Sequence, residues 1–199
     1  GVVSGAVLSW ALLCASASDV YYWNLPAWLP LPVVPVDNPM TQEKVELGRH
    51  LFYDKRLSND NSMSCASCHH QDKAFTDGLA VATGITGQTG SRSAMSLANV
   101  AYLPVLTWAN PQLKALEIQA LVPIFGEHPI EMGMAGQEHL LFDRLKADKR
   151  YQSLFARAFP QEAQLGETAL YSLTTLTKAI ASFQRSLLSF NSAYDHYKY

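Results

Sequence analysis

Apolar residues recur every three or four positions through much of the second half of the chain. This spacing places them on one face of a helix, and no segment shows the alternation that a half-buried strand requires. Three such stripes follow Gln137, and the longest is expected to run to about Ser189. Their members are Leu140, Leu141 and Leu145; Leu154, Phe155 and Phe159; and Leu170, Leu173, Leu176, Ile180, Phe183 and Leu187. The pattern predicts an all-α fold with long loops between short helices.

Helix-start signals mark the region before residue 70. Asn38 and Pro39 form an N-cap and first-turn pair, and the helix that they predict extends to about Phe52. After the turn "SNDNS", Asn61 or Ser62 is expected to cap a second, short helix. That helix carries the densest group of sulfur and imidazole side chains in the chain, "SCASCHH".

Glycine and proline divide the middle of the chain. Residues 76–92 hold four glycines and predict a long loop, and "SAMSLANVAY" predicts a short helix after it. Asn110 and Pro111 repeat the helix-start signal. A short apolar stripe follows them, and Pro123 is expected to end that helix.

The N-terminal segment is typical of an export signal. Residues 1–17 are apolar and uncharged, and they end in Ala15-Ser16-Ala17, a pattern that signal peptidase cuts. The charged start of such a signal is missing, so we expect a few residues to precede Gly1. The run is short for a membrane span, which needs about 20 apolar residues. An uncleaved membrane anchor is the alternative, and either reading places the protein in the periplasm.

Proline content separates the next segment from the domain behind it. Residues 18–37 are rich in proline and aromatic side chains, which disfavours a helix or a central strand. We expect an extended arm that packs Trp23 and Trp28 against the domain surface. Residues 38–199 then form the functional domain.

Composition limits the classes of function. Hydrophobic residues make up 48% of the 199 residues and charged residues 16%, as in a globular protein. The formal net charge of -2 gives no basic face for nucleic acid. Cleavage after residue 17 would remove Cys14 and leave Cys65 and Cys68, so no disulfide framework is expected.

Cys65, Cys68 and His69 form the sequence C-x-x-C-H, which attaches c-type haem. Each thiol forms a thioether with one vinyl group of the porphyrin, and the helical spacing places both sulfurs over the same edge. The imidazole of His69 then becomes the axial ligand of the iron. Export agrees with this interpretation, because haem c is attached outside the cytoplasm. His70 is expected to stay outside the iron's ligand set.

Two other sites use the same residue types. A structural zinc ion needs four ligands, and this segment supplies three at best. A redox-active dithiol would need a βαβ setting, which the pattern does not show. The sequence therefore favours haem.

The motif alone leaves the role of the haem open. An electron carrier fills both axial positions, often with methionine, whereas a peroxidase leaves one open. Methionines 95, 132 and 134 are candidates for a second ligand, although their residue type is more typical of core packing. A single-haem electron-transfer cytochrome c is thus the alternative to an enzyme.

Several separated segments resemble the bacterial di-haem cytochrome c peroxidase and MauG family. In family order they are "VELGRHLFYDKRLSNDNSMSCASCHHQDKAFTDG", "SLANVAY", "TWAN", "LEIQALVPI" and "PIEMGM". "DRLKADKRYQSLFARAFP" and "SFQRSLLSFNSAYDHY" are similar to the end of the family's first haem domain. The resemblance implies a cytochrome c-like helical haem domain, the N-terminal one that reacts with peroxide.

The resemblance assigns roles to residues outside the motif. Gln119 matches a glutamine and Glu131 an acid, both on the open face of the iron, and Trp108 matches a tryptophan that relays electrons between two haems. Glu131 would move a proton from the near to the far oxygen of hydrogen peroxide while Gln119 positions it. Gln119 and Glu131 lie twelve positions apart, where about ten is commoner, so Glu127 is a rival for the acid. Ordinary core packing is the competing interpretation of Trp108.

The same resemblance implies cofactors and partners. One haem c is expected in this chain, and a second in a C-terminal domain beyond Tyr199. Electrons would come from a small cytochrome c or cupredoxin, or from a residue of a protein substrate. "IFGEHPIEMGM" and "WNLP" are similar to the branch that modifies tryptophan in copper-binding partners. A truncated gene product without activity is a further alternative, and no oligomeric state follows from the sequence.

Two departures from the family pattern change these expectations. Ser93 stands where an asparagine is common, which argues against a calcium ligand there. No histidine occurs between Gln71 and Tyr102, where many members carry one that blocks the resting iron. The sixth position is therefore expected to be open at rest.

Overall fold

The computed structural model describes residues 21–108 and 110–199 and confirms the all-α prediction. Helices account for the regular structure of this part of the chain, and only isolated β-bridges accompany them. The signal-peptide prediction for residues 1–17 lies outside the described residues. The helices are α1 Gln42–Tyr53, α2 Cys65–Cys68, α3 Leu116–Gln119, α4 Leu121–Phe125, α5 Glu138–Lys146, α6 Lys149–Ala158, α7 Pro160–Leu165, α8 Glu167–Leu170, α9 Leu173–Arg185 and α10 Ala193–Lys198.

Three short 3₁₀ turns complete the regular structure, at Lys55–Leu57, Gln71–Lys73 and Val100–Tyr102. Residues 76–92 form a loop, as the glycines predicted, with a single bridge between Thr83 and Thr89. Among the described residues, no helix has the length and apolar character that crossing a membrane requires.

Both predicted caps in the first half are wrong. α1 begins at Gln42, and Thr41 caps it by accepting a hydrogen bond from the backbone N–H of Lys44. Asn38 is instead fully buried and takes part in a tertiary hydrogen-bond network. The cysteine helix is capped by Ser64, directly before Cys65, rather than by Asn61 or Ser62. Asn38 does not cap because tertiary contacts use its side chain, and Asn61 and Ser62 do not cap because they belong to a local turn.

Tertiary contacts also override the predictions around "SAMSLANVAY". Only a 3₁₀ turn forms there, because Asn99 has a left-handed backbone (φ 59°) that a helix cannot continue through. The Asn99 side chain accepts from the N–H of Ser189 at 2.7 Å and donates to its carbonyl at 3.0 Å. This pairing holds the end of the long stripe, and α9 stops at Arg185 instead of about residue 189.

The third predicted helix divides into two. Asn110 and Pro111 start no helix, and α3 begins at Leu116. Pro123 does not end the stripe but lies within α4. Its ring is tolerated because the first turn of a helix leaves the backbone N–H groups without helical partners.

The crossing of α1 and α9 is the centre of the fold. A Cβ at Gly48 would collide with the backbone carbonyl oxygen of Ala179, so glycine lets the two helices approach closely. Leu51 from α1 and Ile180 from α9 belong to one buried cluster, which α5 and α6 complete. Phe52 and Phe183 belong to a second cluster on the other side of the crossing, and Cys65 packs against it. The cysteine helix is thereby attached to the core.

The described part of the proline-rich arm, residues 21–37, contains no helix or strand and makes two turns, closed by the N–H groups of Leu29 and Asn38. Tyr21 and Trp23 pack against the second core cluster. Trp28 stacks on Tyr199 with ring centroids 3.9 Å apart. The hydroxyl of Tyr102 donates to the carbonyl of Pro30 at 2.7 Å and ties the arm to the domain.

Candidate haem site

The two cysteines lie on one short helix. Ser64 and Ser67 form a reciprocal capping box at its start. Cys65 and Cys68 stand three positions apart and therefore face the same side of α2. Both thiols are free and half-buried. This arrangement leaves both sulfurs available to one ligand.

Burial raises the pKa of Cys65 to about 12 and also raises the pKa of Cys68. Both groups are therefore neutral thiols at physiological pH. A redox-active dithiol needs a lowered thiol pKa, so the electrostatics argue against that alternative. Nor do the described residues group three or more His, Cys, Asp or Glu side chains in a way that would hold a metal ion, as structural zinc requires.

A turn after α2 fixes the orientation of His69. Its Nδ1 lies 2.7 Å from the carbonyl oxygen of Phe75, and because a carbonyl only accepts, Nδ1 carries the proton. Nε2 then keeps its lone pair. Burial lowers the pKa of His69, which favours the neutral, ligating form. Ala74 and Phe75 adopt left-handed backbones (φ 54° and 59°) to present that carbonyl, and no glycine announces this turn in the sequence.

A cleft of about 470 Å³ opens beside Cys68 and His69. Its size falls in the range of small-molecule and cofactor sites. Gln119 and Glu131, far from the cysteines in sequence, also border it. A smaller recess of about 50 Å³, which we call the inner recess, has Cys65, Cys68, His69, Gln119 and Glu131 in its wall. The inner recess therefore brings together five of the six predicted site residues, and the sixth, Trp108, borders the cleft.

Gln119 reaches the cleft because a buried ion pair attaches α3 to α9. Both oxygens of Glu117 accept from the guanidinium of Arg185, at 2.7 and 2.9 Å. Burial alone would raise the pKa of Glu117, but the bonds from Arg185 and Asn38 hold it below its ordinary value. Asn38 in turn accepts from the ammonium group of Lys44 in α1. Three parts of the chain thus fix the helix that ends at Gln119.

Glu131 is held by its backbone rather than by its carboxyl group. Its carbonyl accepts from the N–H of Ile85 at 2.9 Å, and the neighbouring N–H of Ile130 donates to Oε1 of Gln88 at 3.0 Å. A Cβ at Gly84 would collide with the carbonyl oxygen of Ile130. The glycine-rich loop therefore docks directly on the acid's segment.

The Glu131 carboxyl group is partly removed from solvent. Burial raises its pKa above the ordinary range, and a raised pKa suits a group that takes up and returns a proton. Its rival Glu127 is exposed and lies outside the walls of the cleft and the inner recess. The geometry favours Glu131 as the acid.

Trp108 lies at the rim of the cleft with 56% of its surface exposed. Its indole N–H donates to the carbonyl of Ser93 at 2.8 Å, which fixes the ring orientation. The degree of exposure argues against ordinary core packing. Of the three candidate methionines, Met132 and Met134 are buried in the first core cluster, and Met95 borders the cleft.

One further polar residue of the site, Gln184 on α9, borders the inner recess. The sequence did not predict this residue, because it lies within the apolar stripe of α9. A signal existed, since Gln184 stands one turn after Ile180 and on the same helix face.

The residues of the cleft fit haem c. Two unpaired thiols on one helix face can form both thioethers, and an imidazole with a free Nε2 follows them directly. Buried apolar side chains, including Leu97, Leu106 and Leu116, line the cleft and give the apolar surroundings that a porphyrin ring requires.

Comparisons with known proteins agree with this geometry. The family model for di-haem cytochrome c peroxidase matches residues 42–199. The methylamine utilization protein MauG of Methylophilus methylotrophus is 34% identical over 163 residues, which are 82% of this chain and 45% of that protein. Cytochrome-c peroxidase IdrP1 of Denitromonas iodatirespirans is 35% identical over 177 residues, 88% of this chain and 43% of that protein.

A solved structure is more similar in sequence. It is described as a MauG-like protein associated with microbial copper homeostasis and is 48% identical, with a TM-score of 0.83 over 89% of this chain and 49% of its own. The chain thus spans about half the length of the relatives that it matches. The family implies haem c as cofactor, and a match over most of the chain decides the assignment: this chain belongs to the di-haem cytochrome c peroxidase family.

Proposed function

We propose that this chain is the peroxide-reacting haem domain of a periplasmic di-haem peroxidase. The observation that carries the proposal is the placement of Gln119 and Glu131 in the wall of the cleft that also exposes Cys68 and His69. Cys65 and Cys68 would hold haem c covalently, and Nε2 of His69 would bind its iron. The haem, when bound, supplies the iron at which hydrogen peroxide is reduced.

The chain's own residues handle the protons. Hydrogen peroxide takes up two electrons and two protons to give two water molecules. Glu131 accepts the proton of one peroxide oxygen and delivers it to the other, which then leaves as water. The amide of Gln119 hydrogen-bonds the peroxide and keeps it oriented toward the acid. Such general acid–base catalysis contributes about 10²–10⁴-fold.

The electrons come from a protein, and two sources are consistent with the family. A small cytochrome c or cupredoxin would make the domain a peroxide-detoxifying enzyme. Oxidation of a residue in a partner protein would make it a modifying enzyme. The 48% identity to a MauG-like protein associated with copper homeostasis supports the second source, with a tryptophan of a copper-binding partner as the residue oxidised. Trp108, at the cleft rim, would relay the electrons.

An electron-transfer cytochrome c is the rival function, and it needs a strong sixth ligand. Met134 is fully buried in the core and borders neither cavity, which argues against it as that ligand. Met132 borders the inner recess and Met95 the cleft, so the absorption spectrum decides between the two functions. A high-spin ferric spectrum that changes readily with cyanide supports the peroxidase, whereas a stable low-spin methionine–histidine spectrum contradicts it.

Paired substitutions of the two glutamates test the acid. We expect Glu131→Gln to slow the reaction of the ferric protein with hydrogen peroxide by about 10²–10⁴-fold, measured by stopped-flow absorbance. The matched control, Glu127→Gln, should leave the rate unchanged because that side chain is exposed.

The pH dependence provides a second measurement. Only the carboxylate form of Glu131 accepts a proton, so the wild-type rate should rise as pH increases through the raised pKa of this group. This limb should lie above the ordinary carboxyl range, and it should vanish in Glu131→Gln. If Glu127→Gln slows the reaction and Glu131→Gln does not, the acid is Glu127 and the assignment to Glu131 is wrong.

A further inference from the structure

Gln184 carries a buried hydrogen-bond acceptor that the protein does not use. The residue is 5% exposed, and its Oε1 accepts no hydrogen bond from any residue of the described ranges. Buried side-chain oxygens in native proteins nearly always have a partner, which is either a protein group or an ordered water molecule. The orphaned oxygen therefore indicates a donor that the described part of the polypeptide does not supply.

The surroundings of Gln184 indicate which donor this is. Gln184 borders the inner recess together with Gln119 and Glu131, while the larger cleft lies beyond its reach. The recess of about 50 Å³ exceeds the roughly 10–15 Å³ that one water molecule needs. A buried water also needs two to four polar partners, and these three side chains supply them.

The haem does not satisfy this oxygen. The edge of haem c that joins the cysteines is hydrocarbon and has no N–H or O–H group. Cys65 borders the same recess, and the thioether that it would form with the haem carries no N–H or O–H group either. A small O–H donor remains as the partner.

We propose that a water molecule in the inner recess donates one hydrogen to Oε1 of Gln184 and the other to the carboxylate of Glu131. Its oxygen then accepts from the amide of Gln119, which gives it about three hydrogen bonds, the usual number for a buried water. Gln184 is thus a positioning residue that holds the carboxylate toward the peroxide through this water. The inference rests on the proposed function, because it gives the water its role beside the acid.

A double-mutant cycle tests the role. Gln184→Met keeps the length of the side chain and removes its acceptor. Loss of one hydrogen bond of ordinary strength should slow the reaction with hydrogen peroxide by about 2–10-fold in the haem-loaded protein. In a Glu131→Gln background the same substitution should change the rate by less than about twofold, since the water then has no carboxylate to hold.

The outcomes separate this inference from the proposed function. An equal loss in both backgrounds, or no loss in either, overturns the role of Gln184. A normal rate for Glu131→Gln alone overturns the proposed function instead. A crystal structure of the wild-type haem-loaded protein then tests whether the water is present. A water within about 3.2 Å of Oε1 and on the Glu131 side supports the site, and a dry recess removes it.

Discussion

The cysteine helix and the Gln119–Glu131 side of the cleft differ in the sequence distance between their parts. Cys65, Cys68 and His69 fall within five consecutive residues, and the cap Ser64 and the carbonyl of Phe75 lie close by in the chain. The opposite side combines α3 with the segment of Glu131, and each of these is held by a residue tens of positions away.

This difference separates attachment from reactivity. The short helix α2 aligns the two sulfurs, and the turn that follows it orients the imidazole, so we expect binding of haem to depend on short-range structure. Placing an acid and an amide over the same cofactor depends on docking of the glycine-rich loop and on the α3–α9 ion pair. Substitutions should therefore be able to remove the reaction with peroxide while the haem stays attached.

The largest effect is expected on the attachment side. Replacing both Cys65 and Cys68 by serine removes both thioethers, so no haem should remain with the polypeptide after denaturing electrophoresis and haem staining. His70→Ala is the matched control. It should stain as strongly as wild type because only His69 is placed to bind the iron. Loss of staining in the control would show that His70 contributes to attachment.

The second-largest effect is expected at the buried ion pair between Glu117 and Arg185, which attaches α3 to α9. Glu117→Ala leaves the Arg185 guanidinium buried without its partner, which should lower the free energy of unfolding by about 3–5 kcal/mol. Urea unfolding followed by helical circular dichroism measures this. Glu167→Ala breaks the exposed pair with Lys146 and should cost less than about 1 kcal/mol. Equal losses would mean that the buried pair does not anchor α3.

A substitution in the loop 76–92, which carries none of the predicted site residues, is expected to affect the reaction with peroxide selectively. Gly84→Ala introduces a Cβ against the carbonyl of Ile130 and should displace Glu131. A displacement of about 1 Å costs on the order of 10² in rate, so peroxide reactivity should fall about 10²-fold with haem staining unchanged. Gly90→Ala, in the same loop, meets only atoms at ordinary contact distances and serves as control. A normal rate in Gly84→Ala would show that the loop does not position the acid.

Local sequence patterns predicted several helices, but not their caps or the position of the residues opposite the cysteine helix. The apolar stripes predicted the existence of α5, α6 and α9, because amphipathic periodicity is a local property, but the first member of the longest stripe, Leu170, lies in α8. The caps at Asn38 and Asn61 were wrong, since a buried network and a turn compete for those polar groups. Gln119 and Glu131 were selected by resemblance to the family. Their spacing in the sequence did not by itself predict that they line the same cleft.

By itself the sequence determined the helical class and the attachment motif and predicted His69 as the axial ligand, because each of these depends on neighbours within one or two helical turns. Tertiary structure decided which acid faces the cleft, how Glu131 is held, and that Gln184 borders the inner recess with a buried oxygen that has no partner among the described residues. Those features depend on contacts between distant segments, and close packing around Gly48 and Gly84 fixes them. No local pattern carries that information.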